Sequence, residues 1–313
     1  MSARLAPGDG YGLAVSDIFR TPDERFEDLP GYVWKPNYLD LSGDLAGLRI
    51  HYVDEGRGRP VVLVHGEPTW AFLYRKMIPG LSGIARTIAP DFIGFGRSDK
   101  PIDREWYSYE RHVDAVGELV DQLGLDEFVV VVQDWGGPVG LRVALERANR
   151  CAALVVLNTG IFRPGPRWPS PGFLAWRDFA QNNPDLPVGF VLQGATTTDL
   201  SDEVIAGYEA PFPTPESKAG AAAFPLLVPI SEDDPGAAEM LRVREALTSW
   251  AKPALVAFSD SDPIFPQVAG ERLAGRIPGA VPFAPVANAG HFLQEDKGEE
   301  LAELIAAFLK RDV

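Results

Sequence analysis

The sequence carries a single cysteine, Cys151, in 313 residues, so no disulfide can close within the chain. Set before the apolar run Ala152–Leu157, that thiol reads as a buried structural residue and not a reactive one, and a lone cysteine fits a reducing compartment. Positive charge is also scarce. Lys and Arg number 29 against 44 Asp and Glu, a formal net charge of −15. Nucleic acid and anionic membrane both require a basic footprint, so neither is expected as a partner. No apolar run approaches the roughly 20 residues that span a bilayer. Met1–Gly8 lacks the apolar stretch of a secretory signal, and the chain is expected in the cytoplasm. No cluster of Cys and His stands at ligand spacing, so no metal site is expected. There is no internal repeat, no low-complexity tract and no Gly-x-Ser-x-Gly, so a serine hydrolase lacks its nucleophile motif.

What is present is ordinary globular composition, 46% hydrophobic and 23% charged, with short β-branched runs alternating with amphipathic helical spacing. That alternation predicts a mostly parallel, helix-covered sheet. Strands are expected at Ile50–Asp54, Val61–His65, Thr87–Pro90, Phe128–Val132, Leu154–Leu157, Ala254–Phe258 and Val281–Phe283. Val113, Val116, Leu119, Val120 and Leu123 place a helix over 111–123. Further helices are expected from Gly136 to about Arg147, from Val268 to Arg276 and from about Gly298 to Lys310. Between about Gly160 and Val228 the alternation breaks into a stretch rich in Pro, Gly and aromatics. The reading is an α/β core, 1–159 and 229–313, interrupted by a helical cap, 160–228.

One junction concentrates the chemistry. At Val132-Gln133-Asp134-Trp135-Gly136-Gly137 a strand, a sharp turn and a helix meet, the layout of the nucleophile elbow of the α/β-hydrolase fold, with Asp134 at the nucleophile position. Asp is also a favoured helix N-cap, and on this junction alone that reading stands beside the first. A carboxylate is ionised at neutral pH and needs no base to activate it. It can displace a leaving group from saturated carbon and remain esterified; a base is then needed only to activate water.

Of the four histidines, His291 lies in Asn288-Ala289-Gly290-His291-Phe292, between the last expected strand and the last helix, where this fold carries its base. His51 reads as a surface or structural residue, His112 as a helix-face residue and His65 as a loop-shaping one. The acid that orients the base should follow the strand ending at Phe258. Asp260 and Asp262 both qualify, and Asp262 is preferred because Pro263 turns the loop away from the sheet. His65-Gly66-Glu67-Pro68 supplies one candidate oxyanion donor, the backbone N–H of Glu67; the other is that of Trp135. Gly94-Phe95-Gly96 lacks the third glycine of a dinucleotide site, Asp99 standing there, and reads as a turn.

Taken together, His65–Trp70, Leu73–Pro79, Asp91–Pro101 and Val131–Gly137 resemble the haloalkane dehalogenases, and the resemblance runs from about Pro30 to the C-terminus. It implies hydrolysis of a carbon–halogen bond in a small halogenated aliphatic substrate to an alcohol, a halide ion and a proton, with water as co-substrate and no cofactor. It implies two tryptophan indole donors for the leaving halide, Trp135 by motif and Trp176 from Phe173-Leu174-Ala175-Trp176-Arg177, with Trp168 as competitor. Phe173, Phe224, Pro225 and Val228 match pocket-lining positions, whereas Pro138 departs from a position that is often aromatic. A monomer or small homo-oligomer is expected.

Two other readings remain at this stage. Epoxide hydrolases share an aspartate nucleophile but use cap tyrosines as acids, and Tyr208 is the one tyrosine in this cap. A non-catalytic binding module of the same fold would have no use for Asp134, Asp262 and His291 together. Fluoroacetate-type dehalogenases usually have arginine where Trp135 stands.

Overall fold

The computed structural model describes residues 17–165 and 168–313; the leader reading of Met1–Gly8 lies outside them. The main sheet has eight strands: β1 (Asn37–Asp40), β2 (Arg49–Gly56), β3 (Pro60–Val64), β4 (Arg86–Pro90), β5 (Phe128–Val132), β6 (Cys151–Leu157), β7 (Ala254–Ser259) and β8 (Ala284–Val286). Their spatial order is β8-β7-β6-β5-β3-β4-β2-β1. β2 pairs antiparallel with β1 and β4, and every other pair is parallel. Every residue of β5 and β7 is buried, as expected of parallel strands covered on both faces, and it is why they read as unbroken apolar runs. The edge strand β1 is half exposed.

Among the described residues ten α-helices accompany the sheet: α1 (Ile78–Ser82), α2 (Tyr109–Gln122), α3 (Gly136–Glu146), α4 (Pro171–Asn182), α5 (Val188–Gly194), α6 (Asp202–Glu209), α7 (Ala219–Leu227), α8 (Ala237–Ala246), α9 (Gln267–Ala274) and α10 (Leu293–Asp312). α1 packs on α10, and α3 packs on α2 and α8. Ser108 caps α2 by accepting from Arg111 N–H, and Val113, Val116, Leu119 and Val120 form its buried stripe. Between β6 and β7, α4 packs on α7 and α5 on α6. This insertion is tied to the core by polar contacts. Trp70 Nε1 donates to Gly207 O at 3.1 Å, and Tyr208 Oη donates to Glu295. Glu295 also receives Arg75 Nη2 at 2.9 Å.

The structure corrects two element boundaries. The last strand lies at Ala284–Val286, not Val281–Phe283. Val281 N–H goes to Ala254 O, and regular pairing with β7 begins only where Ala284 faces Ala257. The last helix starts at Leu293 and is broken at Lys297 (φ −140°), so the expected start near Gly298 is that of its second segment. The first turn is held by Asp296, whose carboxylate accepts from the N–H groups of Gly290, Thr197 and Thr198.

Three histidines are wholly buried away from the elbow. His51 Nδ1 lies 2.7 Å from Asp91 Oδ2, and His65 Nε2 accepts from Phe92 N–H at 2.9 Å. His112 faces inward from α2 among Phe92, Tyr107 and Phe224, and neither ring nitrogen has a partner. Burial pushes its pKa down from 6.5 to about 3. The unfolded chain therefore binds a proton first as the pH falls. Stability present above pH 6.5 is lost progressively toward pH 3, by about 2 kcal/mol between pH 8 and pH 5. His112→Leu is expected to unfold at a higher temperature than wild type at pH 5, with a smaller gap at pH 8. Calorimetry at the two pH values checks this, and an equal gap at both would remove His112 as the cause.

Candidate active site

Four loops that leave the C-terminal ends of parallel strands meet at one place, the position where this sheet architecture presents its functional groups. The loop after β5 turns through Asp134 at φ +49°, a left-handed conformation unusual for any residue but glycine. Its geometry is enforced from several sides. Asp134 N–H donates to Asn158 O at 2.9 Å, Gly136 N–H to Gln133 O at 2.8 Å and Thr159 Oγ1 to Asp134 O at 2.5 Å. The turn is possible only because its neighbours are small. A Cβ on Gly136 would stand 2.0 Å from Val64 O, and one on Gly66 would stand 2.4 Å from Asp134 Oδ1. The helix-cap alternative for Asp134 is not realised, since no side chain caps the start of α3.

The carboxylate points into the site instead. Oδ1 accepts from Glu67 N–H at 2.9 Å, and Oδ2 lies 3.6 Å from His291 Nε2. Across the imidazole, Nδ1 meets Asp262 Oδ2 at 2.9 Å. Asp262 is itself fixed, its Oδ1 accepting from Ile264 N–H at 2.7 Å and Phe265 N–H at 3.0 Å. Asp260 plays another part: its exposed carboxylate latches Asn288 N–H and Ala289 N–H, which lowers its pKa. The structure thus brings Asp134, His291, Asp262 and the Glu67 N–H together, and leaves Asp260 outside.

Burial is the largest influence on each group here. It holds the Asp134 carboxyl above the usual aspartate value, against His291 and the N–H groups of Trp135 and Glu67, which pull it down. Burial opposes the charged form of His291 too, but Asp262, by charge and hydrogen bond, and then Asp134 outweigh it and raise the imidazole. The Glu67 side chain is buried beside Asp134. Burial first and the Asp134 charge second push its carboxyl well above the usual glutamate value.

Above these groups lies a cavity of about 810 Å³, floored by Glu67, Asp134 and His291 and otherwise mostly apolar. Trp135 and Trp176 both line it. Neither indole nitrogen has a partner among the described residues, whereas Trp168, also on the wall, spends its Nε1 on Pro229 O at 3.0 Å. Phe173, Pro225 and Val228 are in the lining. Phe224 is a correction. It is wholly buried behind the wall, its ring 5.1 Å from Trp135 edge-on and 4.5 Å from His112. The inward turn of α7 that presents Pro225 to the cavity directs Phe224 into the core. No tyrosine lines the cavity among the described residues, and Tyr208 is committed to Glu295.

Two polar residues went unnoticed in the sequence. Gln133 is wholly buried, and its Nε2 lies 3.3 Å from His291 O and 3.2 Å from His291 Nε2. Asn158 donates from Nδ2 to Gly290 O at 3.0 Å and Ser259 Oγ at 2.6 Å, and its Oδ1 accepts from Ser259 N–H. It therefore fastens the loops after β5, β7 and β8 to one another. Its position just past the end of β6 was the available signal.

Residues 59–203 match the family model for the alpha/beta hydrolase fold. A haloalkane dehalogenase of Mycolicibacterium paratuberculosis is 48% identical over 297 residues, 93% of this chain and 98% of its own length. Haloalkane dehalogenase 1 of Mycobacterium tuberculosis is 50% identical over 293 residues, 92% of this chain and 97% of its own. Among solved structures, the tetrameric haloalkane dehalogenase DpaA of Paraglaciecola agarilytica superposes with a TM-score of 0.88 at 36% identity, covering 93% of this chain and 98% of that one. Identity at this level over nearly the whole length, joined to the strand order and the elbow, shows that the chain belongs to the haloalkane dehalogenases of the α/β-hydrolase fold.

Proposed function

We propose that this chain hydrolyses carbon–halogen bonds in two displacements, with Asp134 as nucleophile. Asp134 attacks the halogen-bearing carbon from the side opposite the halogen. The carbon–oxygen bond forms as the carbon–halogen bond breaks, and the halide leaves with the bonding pair. The Trp135 and Trp176 indole N–H groups take up its growing charge; an indole donates without offering an acceptor that would repel an anion. His291, steadied by Asp262, then removes a proton from water, which attacks the ester carbonyl of Asp134. The N–H groups of Glu67 and Trp135 hold the oxyanion. Collapse expels the alkoxide, which takes the proton held by His291 and leaves as the alcohol, and the restored carboxyl releases its proton to water. The net change is haloalkane plus water to alcohol, halide and a proton, with no cofactor.

The observation that carries this reading is the placement of Asp134 between Glu67 N–H and His291 on the floor of a cavity that also holds two unpartnered indole donors. The electrostatics support the order of events. Asp134's charge helps keep His291 raised. Alkylation removes that charge, which lowers the imidazole's hold on a proton at the step that needs a free base.

Core residues 1–159 and 229–313 and a cap of 160–228 fit this division of labour, because α8 packs on α3 and so belongs with the core. We assign the enzyme to the cytoplasm on its single, buried cysteine, as a monomer or small homo-oligomer; no described helix is long and apolar enough to cross a membrane.

Bromide release from 1-bromobutane, measured beside hydrolysis of a terminal epoxide of similar size, tests the reading. Bromide without diol is expected, and the reverse would establish an epoxide hydrolase. Trp176→Phe is expected to lower kcat/KM for 1-bromobutane by about 100-fold, the usual cost of one donor to developing charge. Trp168→Phe, whose N–H is already spent, should cost less than about tenfold by comparison. An inverted pair would transfer the halide role to Trp168.

A further inference from the structure

The reactive end of the cavity needs little of its volume. At about 30 Å³ per heavy atom, 1-bromobutane fills roughly 150 Å³, under a fifth of the 810 Å³ available. Phe173, Phe179, Phe190, Ile264 and Phe265, among others, also line the cavity. Water there finds few hydrogen-bond partners, so an apolar group that displaces it gains free energy.

The walls continue to the surface. Phe190 is 77% exposed, Ile264 53% and Phe179 37%, and each also lines the cavity. Phe190 and Phe179 come from α5 and α4, while Ile264 comes from the loop after β7 that carries Asp262. Large apolar side chains held in water on separate elements around one opening mark a place where an apolar ligand passes or rests.

Resting on the dehalogenase reading, we propose that the preferred substrates are haloalkanes with long, unbranched apolar tails. The halogen sits between Trp135 and Trp176, the reacting carbon faces Asp134, and the tail runs to a mouth formed by Phe179, Phe190 and Ile264. These three are specificity-determining residues: they touch the far end of the substrate and take no part in the bond changes. Arg163 also lines the cavity and is exposed, but the net charge of −15 disfavours an anionic tail.

The test is kcat/KM for bromide release along 1-bromobutane, 1-bromohexane and 1-bromooctane, with 6-bromohexanoate as the charged counterpart. Each added methylene buried against these walls should raise kcat/KM about fourfold, on the order of 100-fold from the four-carbon to the eight-carbon substrate. A flat or falling series would overturn the proposal while leaving the dehalogenase reading intact. No bromide from any member would instead overturn the reading beneath it. Preference for 6-bromohexanoate over 1-bromohexane would transfer recognition to Arg163. Phe190→Ser, at an exposed position that tolerates a polar side chain, should reduce kcat/KM for 1-bromooctane about fivefold more than for 1-bromobutane. Ile264→Ser should show the same asymmetry from the opposite side of the mouth. Equal losses for both substrates in both variants would remove the mouth from specificity.

Discussion

His291→Gln is expected to stop turnover and leave an alkyl group on Asp134. The first displacement needs only the carboxylate and the halide donors, none of which the substitution touches. The second needs a base on the Nε2 side of the imidazole, 3.6 Å from Asp134 Oδ2, and glutamine has no proton affinity to offer. Steady-state bromide release should fall on the order of 10³-fold or more, the range of a positioned base, after a burst of one bromide per active site. Peptide mass spectrometry after incubation with 1-bromobutane should find one butyl group on the peptide that contains Asp134. Asp262 would lose the partner at 2.9 Å that balances its buried charge, so some loss of stability is expected. The adduct separates that loss from chemistry, because an unfolded chain forms none. Continued turnover within tenfold of wild type, or an unmodified Asp134 peptide, would end the assignment of His291 as the base.

Asp134→Ala should abolish both steps. Without the carboxylate there is no acceptor for the alkyl group, and His291 is placed to serve the ester, not the halide carbon. A loss on the order of 10⁴-fold or more in bromide release is expected, as when a covalent nucleophile is removed. The fold should survive. Alanine bears the φ of +49° less well than aspartate, but the change also removes a carboxylate whose charged form burial opposes. Circular dichroism should match wild type, with a melting temperature within several degrees of it. Residual activity within about 100-fold of wild type would return Asp134 to a structural role and make the chemistry that of another group.

The contrast between Asp134 and Phe224 shows what the sequence carried and what it did not. Asp134 is legible because the elbow is a local device: a buried strand, one turning residue and small neighbours, all within Val132–Gly137. The same holds for the buried parallel strands, whose unbroken apolar runs follow from cover on both faces. Phe224 and Pro225 are adjacent, yet one faces the core and the other the cavity. Which of two neighbours faces a pocket depends on the rotation of α7 against α4, and that is set by packing between segments far apart in the chain. Gln133 and Asn158 escaped notice for the same reason, since their partners Gly290 and His291 lie more than a hundred residues away.

The parallel sheet and the carboxylate at the elbow are legible in the chain, because periodicity and turn chemistry act between neighbours. Between Asp262 and Asp260 the chain offers only the local preference lent by Pro263, and the packed fold supplies the physical difference. Both follow β7, but only Asp262 is turned inward by the Ile264 and Phe265 N–H groups toward His291. The difference between Trp176 and Trp168 is likewise tertiary: the Trp168 indole donates to Pro229 O and has no hydrogen left for an anion, whereas that of Trp176 has no partner among the described residues. These choices turn on a few ångströms between distant segments, and no local pattern in the chain encodes such a distance.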